Sequence, residues 1–254
     1  MKRRKFVNPR GTAPPPERWL YGVHAIAEWV RTRPARLHVV RYDTQATGRA
    51  AEVVHLAQAA HLRVEPADAR TLTALAGTTR HQGLAALAAP FPYAEVEQVV
   101  AGRPRLLVVA DQLQDPHNLG ALLRTAEAVG AAGIILPRDG TVPVTPTVEA
   151  AAAGAAALLP VCRVTNLART LGMLKANGYW MTALVPRGGR ELFEFEAPER
   201  SVVVLGGETG LRPLVAKQCD FLVSIPMFGR VESLNASVAA AVVLYELRRR
   251  WEVA

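Results

Sequence analysis

The sequence predicts an α/β protein built on a parallel sheet, with a smaller α/β domain ahead of it. Three observations lead there. Leu106-Leu107-Val108-Val109-Ala110 is a short, β-branched apolar run of the kind that forms a buried strand. After it the period changes. Leu119, Leu122, Leu123, Ala126 and Val129 fall at helical spacing, Gly130 marks a helix stop, and Gly133-Ile134-Ile135-Leu136-Pro137 reads as a second strand. Strand, helix and strand joined in this way form a βαβ unit, which makes the two strands parallel. Finally, most of the polar residues gather in the loop between the first strand and the helix, at the end of an open sheet where ligands bind.

In chain order, residues 1–18 carry Lys2, Arg3, Arg4, Lys5, Arg10 and Arg18 against Glu17, a net +5 of the chain's +8. With prolines at 14, 15 and 16 this predicts a basic flexible tail, suited to a polyanion or simply to solubility. Residues 19–90 alternate helix and strand and predict a small domain. Its helices are expected over Ala25–Val30, Ala50–Ala60 and Asp68–Ala76, and its strands over Leu37–Val40, Leu62–Val64 and Leu84–Leu87. The second helix places Ala51, Val54, Leu56 and Ala57 on its apolar side. Residues 91–104, with Pro92, Gly102 and Pro104, read as a linker.

Residues 105–254 form the larger domain. After the βαβ unit, Thr145 and Pro146 predict an N-cap and first helical residue, and an alanine-rich helix then runs through Val148 to Leu158. Pro160–Val164, Tyr179–Ala183, Val202–Leu205 and Phe221–Ile225 predict further strands. A helix over Asn166–Ala176 stops at Gly178, and residues 187–200 form a polar excursion. The closing helix spans Asn235–Trp251. Its terminal Arg248, Arg249 and Arg250 favour the helix dipole, an RNA contact being the alternative.

Half of the chain is hydrophobic, yet no run is long enough to span a bilayer, and no apolar stretch follows the basic start as a secretory signal requires. A cytoplasmic protein is expected. Cys162 and Cys219 sit in or beside apolar runs and predict buried reduced thiols. Without histidines at ligand spacing they predict no metal site.

The loop after the first strand lacks both the G-x-G-x-x-G of a dinucleotide site and a P-loop lysine, which disfavours a nucleotide-dependent oxidoreductase. Asn118 is either an N-cap or a site residue, and Arg124 either a solvated helix residue or a site residue. Two later stretches bear on that choice: Val202-Val203-Val204-Leu205-Gly206-Gly207-Glu208-Thr209-Gly210-Leu211, and Ser224-Ile225-Pro226-Met227 followed by Val231-Glu232-Ser233-Leu234-Asn235-Ala236-Ser237. Together with Asn118-Leu119-Gly120 and Arg124-Thr125, they resemble the three ordered motifs of the SpoU (TrmH) family of RNA ribose 2′-O-methyltransferases. The resemblance covers Arg105 to about Arg250. Tyr21-Gly22-Val23-His24-Ala25 and Arg80-His81-Gln82-Gly83 resemble recurring stretches of the substrate-binding domain of the ribosomal RNA branch, so His24 and His81 are either ordinary histidines or RNA contacts.

The resemblance implies a SPOUT methyltransferase domain with a trefoil knot and an N-terminal RNA-binding domain. It implies S-adenosylmethionine as cofactor, a homodimer, no metal, and a ribose 2′-hydroxyl of ribosomal RNA as substrate, a guanosine of 23S rRNA in the closest branch. A transfer RNA enzyme and a non-catalytic ribosome assembly factor are the alternatives. By motif match Leu205, Gly206, Gly207, Ile225, Met227 and Leu234 contact the cofactor, and Asn118, Arg124, Glu208, Ser233 and Asn235 form the catalytic set. The second motif is one residue shorter than is common between Glu208 and Gly210-Leu211, which leaves the roles of Gly206 and Gly207 open. Methyl transfer to an alcohol needs acceptor oxygen, methyl carbon and sulfur held in line and help in removing the hydroxyl proton. A guanidinium rarely gives up its proton, so Arg124 is better suited to gripping a phosphate and stabilising a developing alkoxide than to acting as a base.

Overall fold

The computed structural model describes residues 18–253, so the tail expected over 1–18 lies outside the described residues apart from Arg18, which opens the first strand. The N-terminal unit contains β1 (Arg18–Tyr21), α1 (Val23–Thr32), β2 (Leu37–Tyr42), α2 (Arg49–Ala59), β3 (Val64–Pro66), α3 (Ala69–Ala76) and β4 (Leu84–Ala88). Its sheet runs β1-β4-β2-β3, antiparallel except for the parallel β2–β3 pair. Leu20, Ile26, Trp29, Val40 and Leu84 are buried at its core.

Two sequence expectations shift here. On α2 the buried residues are Ala50, Val53, Val54 and Ala57, while Ala51 and Leu56 are only half-buried. In a helix so rich in alanine the stripe is weakly specified, and packing against α1 sets its rotation. The third strand lies two residues later than expected, because its register follows from pairing Val40 with Val64 and Tyr42 with Pro66.

The stretch 91–104 carries α4 (Val96–Val100). Phe91 and Val96 are buried, Ala94 pairs in parallel with Cys162, and the Val144 amide donates to Tyr93 Oη at 2.9 Å. Then follow β5 (Leu106–Asp111), α5 (Pro116–Ala128), β6 (Ile134–Pro137), α6 (Pro146–Ala151), α7 (Ala155–Leu158), β7 (Val161–Val164), α8 (Leu167–Ala176) and β8 (Trp180–Leu184). The chain ends with β9 (Arg190–Glu191), β10 (Ser201–Gly206), α9 (Pro213–Ala216), β11 (Phe221–Ser224) and α10 (Ala236–Val253). The seven strands form one parallel sheet in the order β7-β6-β5-β10-β8-β11-β9. The central strands β5 and β10 are wholly apolar along most of their length because helices cover both faces. The polar excursion at 187–200 contributes the edge strand β9 and two buried anchors, Leu192 and Phe195.

Thr145 caps α6 and Pro146 is its first residue, as expected, but the alanine-rich helix is broken. Ala153 (φ 49) and Gly154 (φ 99) take left-handed conformations and split it into α6 and α7. Gly120 on α5 is the seat of α6: a Cβ there would lie 2.8 Å from the Val148 carbonyl oxygen and 3.0 Å from the Ala151 carbonyl carbon. The small residues serve close packing within the chain, α6 on α5 and α7 on α1.

Cys162 is buried and Cys219 half-buried; both are free, and burial pushes their thiols up to about 12 and about 11. At the end of α10, Arg249 and Arg250 both bond Glu246, holding its carboxyl down at about 2, and Arg248 pairs with Glu252 at 2.9 Å. These cations are thus paired along their own helix. His81 is buried and satisfied, its ring nitrogens bonded to Thr73 Oγ1 and the Gly83 amide, whereas His24 is exposed.

Candidate active site

The site begins where β5 ends. Asp111 is fully buried, and an unpaired carboxylate there would be costly. Arg212 answers it from a hundred residues away: Nε donates to Oδ1 at 2.8 Å, Nη2 lies 2.6 Å from the same oxygen, and the Arg212 amide donates to Oδ2 at 3.0 Å. This clamp ties the far end of the Gly206–Leu211 loop to the strand beneath it. The near end is tied by the Gly207 amide, which donates to the Asp111 carbonyl at 2.8 Å.

Between those ties the loop is a tight turn, in which the Gly210 amide donates to the Gly207 carbonyl at 2.9 Å and Gly210 has φ +78. Both glycines are required by contact. A Cβ on Gly206 would lie 2.5 Å from the Gly210 carbonyl carbon, and one on Gly207 would run into the Gln112 carbonyl, with its carbon at 2.7 Å. Gln112 itself is held at φ 59, and its side chain accepts from Thr209 Oγ1 at 3.2 Å. The loops after β5 and β10 are therefore locked backbone to backbone.

A second set of bonds joins the starts of α5 and α10. Asp115, not Asn118, caps α5, its carboxylate accepting from the His117 amide. Asn118 is one turn inside the helix, and its Oδ1 accepts from Asn235 Nδ2 at 2.9 Å. Asn235 is the residue that acts as a cap: its Oδ1 accepts from the Ser237 amide at 2.9 Å and the Val238 amide at 3.4 Å, and from Ser237 Oγ at 2.7 Å.

These elements enclose a cavity of about 460 Å³ at the C-terminal end of the sheet, a size suited to a small-molecule site. Of the residues singled out by the motifs, Leu205, Gly206, Gly207, Ile225, Met227 and Leu234 line it, and so do Asn118, Glu208, Ser233 and Asn235. Arg124 does not. It is exposed on α5, beyond the cavity wall, and has no hydrogen-bond or ion-pair partner among the described residues. The motifs did not single out Leu184, Val185 and Pro186, Gly210, Glu232, Ala236 and Ala239, which complete the lining. Leu184–Pro186 had a readable signal, since they follow an apolar strand at the same end of the sheet as the other loops. The Asp111–Arg212 clamp had none, because nothing local pairs residues so far apart. Glu208 and Glu232 are the charged residues of the lining, and Glu208 has no ion-pair partner among the described residues, so one uncompensated carboxylate faces the cavity. Glu232 also meets Arg187 at 3.0 Å.

The described residues contain no cluster of three histidine, cysteine or acidic groups placed to hold a metal, and no helix among them is long and apolar enough to cross a membrane. The structure thus sets a small-molecule pocket at the loop ends of a parallel sheet, with a smaller mixed sheet ahead of it in the chain. The sequence profile of the SpoU rRNA Methylase family matches residues 105–245, and that of the RNA 2′-O ribose methyltransferase substrate-binding domain matches residues 19–94. The chain belongs to the SpoU rRNA Methylase family and is a methyltransferase.

Among its relatives is the 23S rRNA (guanosine-2′-O-)-methyltransferase RlmB of Neisseria meningitidis serogroup B. The two are 39% identical over 239 residues, spanning 92% of this chain and 96% of the relative. The protein of that name from Bordetella pertussis is 40% identical over 237 residues, spanning 91% and 96%. The crystal structure of the SpoU methyltransferase AviRb from Streptomyces viridochromogenes, in complex with AdoMet, superimposes with a TM-score of 0.79 at 24% identity, over 94% of this chain and 92% of that one. That likeness is one of fold.

Proposed function

We propose that the protein transfers a methyl group from S-adenosylmethionine to the 2′-hydroxyl of a guanosine ribose in 23S ribosomal RNA. The observation that carries this is the cavity itself: it is lined by the backbone turn at Gly206-Gly207, and the unpaired carboxylate of Glu208 at its wall suits a sulfonium donor. The relatives named for 23S rRNA guanosine methylation span nearly the whole chain.

In this reading Leu205, Gly206, Gly207, Ile225, Met227 and Leu234 hold the cofactor, mainly through backbone groups and apolar contact. The cofactor supplies an activated methyl group. Asn118, fixed by Asn235, positions the ribose at the pocket mouth. Arg124 grips the adjoining phosphate and stabilises the alkoxide as it forms. Glu208 and Ser233 accept or relay hydrogen bonds at the rim, and neither a metal nor a covalent intermediate is required.

The expected result is saturable binding of S-adenosylmethionine in calorimetry, and ribose methylation of an unmodified 23S transcript mapped by mass spectrometry to one guanosine. Methylation confined to transfer RNA, or cofactor binding without transfer to any RNA, would overturn the substrate reading.

We also propose that residues 19–90 bind RNA, that residues 105–254 carry the chemistry behind a connecting segment at 91–104, and that the enzyme works in the cytoplasm. Because Ala94 and Val96 pack against the larger domain, a chain starting at Phe91 should keep cofactor affinity within a few-fold by calorimetry, while one starting at Gly102 should unfold at lower temperature. The larger domain is proposed to be a trefoil knot, supported by a chain that leaves β11 at one side of the sheet and returns past β10 to dock α10 on α5. A homodimer is proposed on the outward apolar side chains at the end of the chain: Phe228 (93% exposed), Val231, Leu234, Val238 and Tyr245. A monomeric mass in light scattering at micromolar concentration would rule it out.

A further inference from the structure

We propose that Glu149 is a positioning residue for methyl transfer, holding the substrate-binding domain in register with the helix that bears Asn118 and Arg124; this rests on the RNA reading above. Glu149 belongs to α6 of the larger domain and is 1% exposed, yet its carboxylate is bound by the smaller one. Trp29 Nε1 on α1 donates to Oε1 at 2.7 Å, and Arg18 at the start of β1 pairs with Oε2. Arg18 is fixed in turn, with Nε donating to the Ala89 carbonyl at 3.2 Å and its guanidinium over the rings of Trp29 and Phe91 at 5.2 and 5.5 Å. Arg33 lies over the same two rings at 5.3 and 5.9 Å, and Arg36 bonds the Pro90 carbonyl nearby. Several guanidiniums thus crowd one aromatic pair, and Glu149 brings a negative charge into the seam from the opposite domain. Two directional bonds from two different elements fix both the position and the rotation of α6.

What Glu149 fixes is passed on by contacts that cannot compress. Ahead of the seam, Gly154 seats the α6–α7 break against α1: a Cβ there would lie 2.6 Å from Glu28 Cγ and 3.2 Å from the His24 carbonyl oxygen. Behind it, Val148 and Ala151, which flank Glu149 in sequence, press on Gly120 of α5. Asn118 and Arg124 stand on that same helix, one on each side of Gly120. A close-packed chain of backbone contacts transmits displacement rather than absorbing it. The domain proposed to bind RNA and the helix that bears Asn118 and Arg124 are therefore set relative to each other by this buried carboxylate together with the close contacts beside it.

The test is Glu149→Gln in the full chain, which keeps an acceptor for Trp29 and removes the charge that pairs with Arg18. With unmodified 23S transcript, KM for RNA should rise roughly tenfold, as expected when the remote domain is no longer aligned to add its binding to that of the site, while kcat stays within about twofold and calorimetric affinity for S-adenosylmethionine is unchanged. Trp29→Phe, which keeps a ring and loses only the N–H donor, should move KM in the same direction by less, and decides the matter if Glu149→Gln does not fold. A lowered melting temperature with KM unmoved would make Glu149 structural only and overturn the proposal. Hydrogen exchange on the free protein separates this from the substrate reading. Faster exchange at α1 and α7 in Glu149→Gln, with β5 and β10 still protected, supports the clamp even if wild type fails to methylate 23S RNA. Exchange unchanged at the seam overturns the clamp even if wild type is active.

Discussion

Replacing Arg124 with alanine is expected to lower single-turnover methyl transfer by about a hundredfold or more, the loss associated with removing one preorganised transition-state donor. Cofactor affinity should stay within a few-fold. The two effects separate because Arg124 is exposed on α5, outside the cavity lining, while the pocket is built by the loops after β8, β10 and β11 and the start of α10. No acid among the described residues engages its guanidinium, which is exposed and so open to an anion. RNA affinity should fall modestly, as for one phosphate contact. Arg124→Lys should recover little, since an ammonium does not reproduce a planar fork. Single-turnover transfer measured beside cofactor titration gives the answer. Near-normal transfer in the alanine variant would return Arg124 to the solvated helix surface.

Gly207→Ala is expected to fail at the opposite step, losing cofactor affinity by at least roughly tenfold, with about 1–3 kcal/mol of stability lost to overpacking. Its added methyl would run into the Gln112 carbonyl, and both neighbours are backbone that cannot rotate away. Relief would require breaking the bond from the Gly207 amide to Asp111 or moving Gln112 out of its φ 59 conformation. Either would distort two loops of the pocket together. Gly229→Ala is the matched control, because nothing lies within 4 Å of a Cβ at that position. Calorimetry and thermal unfolding of both variants measure this. Wild-type cofactor affinity in Gly207→Ala would mean that the Gln112 contact has no part in the site.

The cavity was readable in the sequence to an unusual depth, because each motif is a local event at the end of a strand. Leu205–Glu208, Ile225–Met227 and Ser233–Asn235 each follow or precede an element whose periodicity is plain, and parallel connectivity then sends all three to one end of the sheet. The sequence left Asn118 open between a cap and a site residue; Asp115 and Asn118 are both good caps, and Pro116 at the first helical position marks Asp115 as the one used. Leu184–Pro186 were legible in principle and passed over because they lack glycine or a motif, whereas Glu232 lay within the third motif but was given no role.

By itself the sequence determined the α/β class, the order of nearly every element and, Arg124 apart, the singled-out residues gathered at the pocket, since these depend on period, capping and turn chemistry over a few residues. Only the tertiary structure decided how α2 is rotated, where the alanine-rich helix breaks, what satisfies Asp111, and what joins the two domains. The physical reason is common to all four. Alanine and glycine specify closeness but not partner, and a buried charge specifies that a partner exists but not where. Arg212 stands a hundred residues from Asp111 and Arg18 more than a hundred from Glu149, so only the folded chain, closing on itself, brings each pair together.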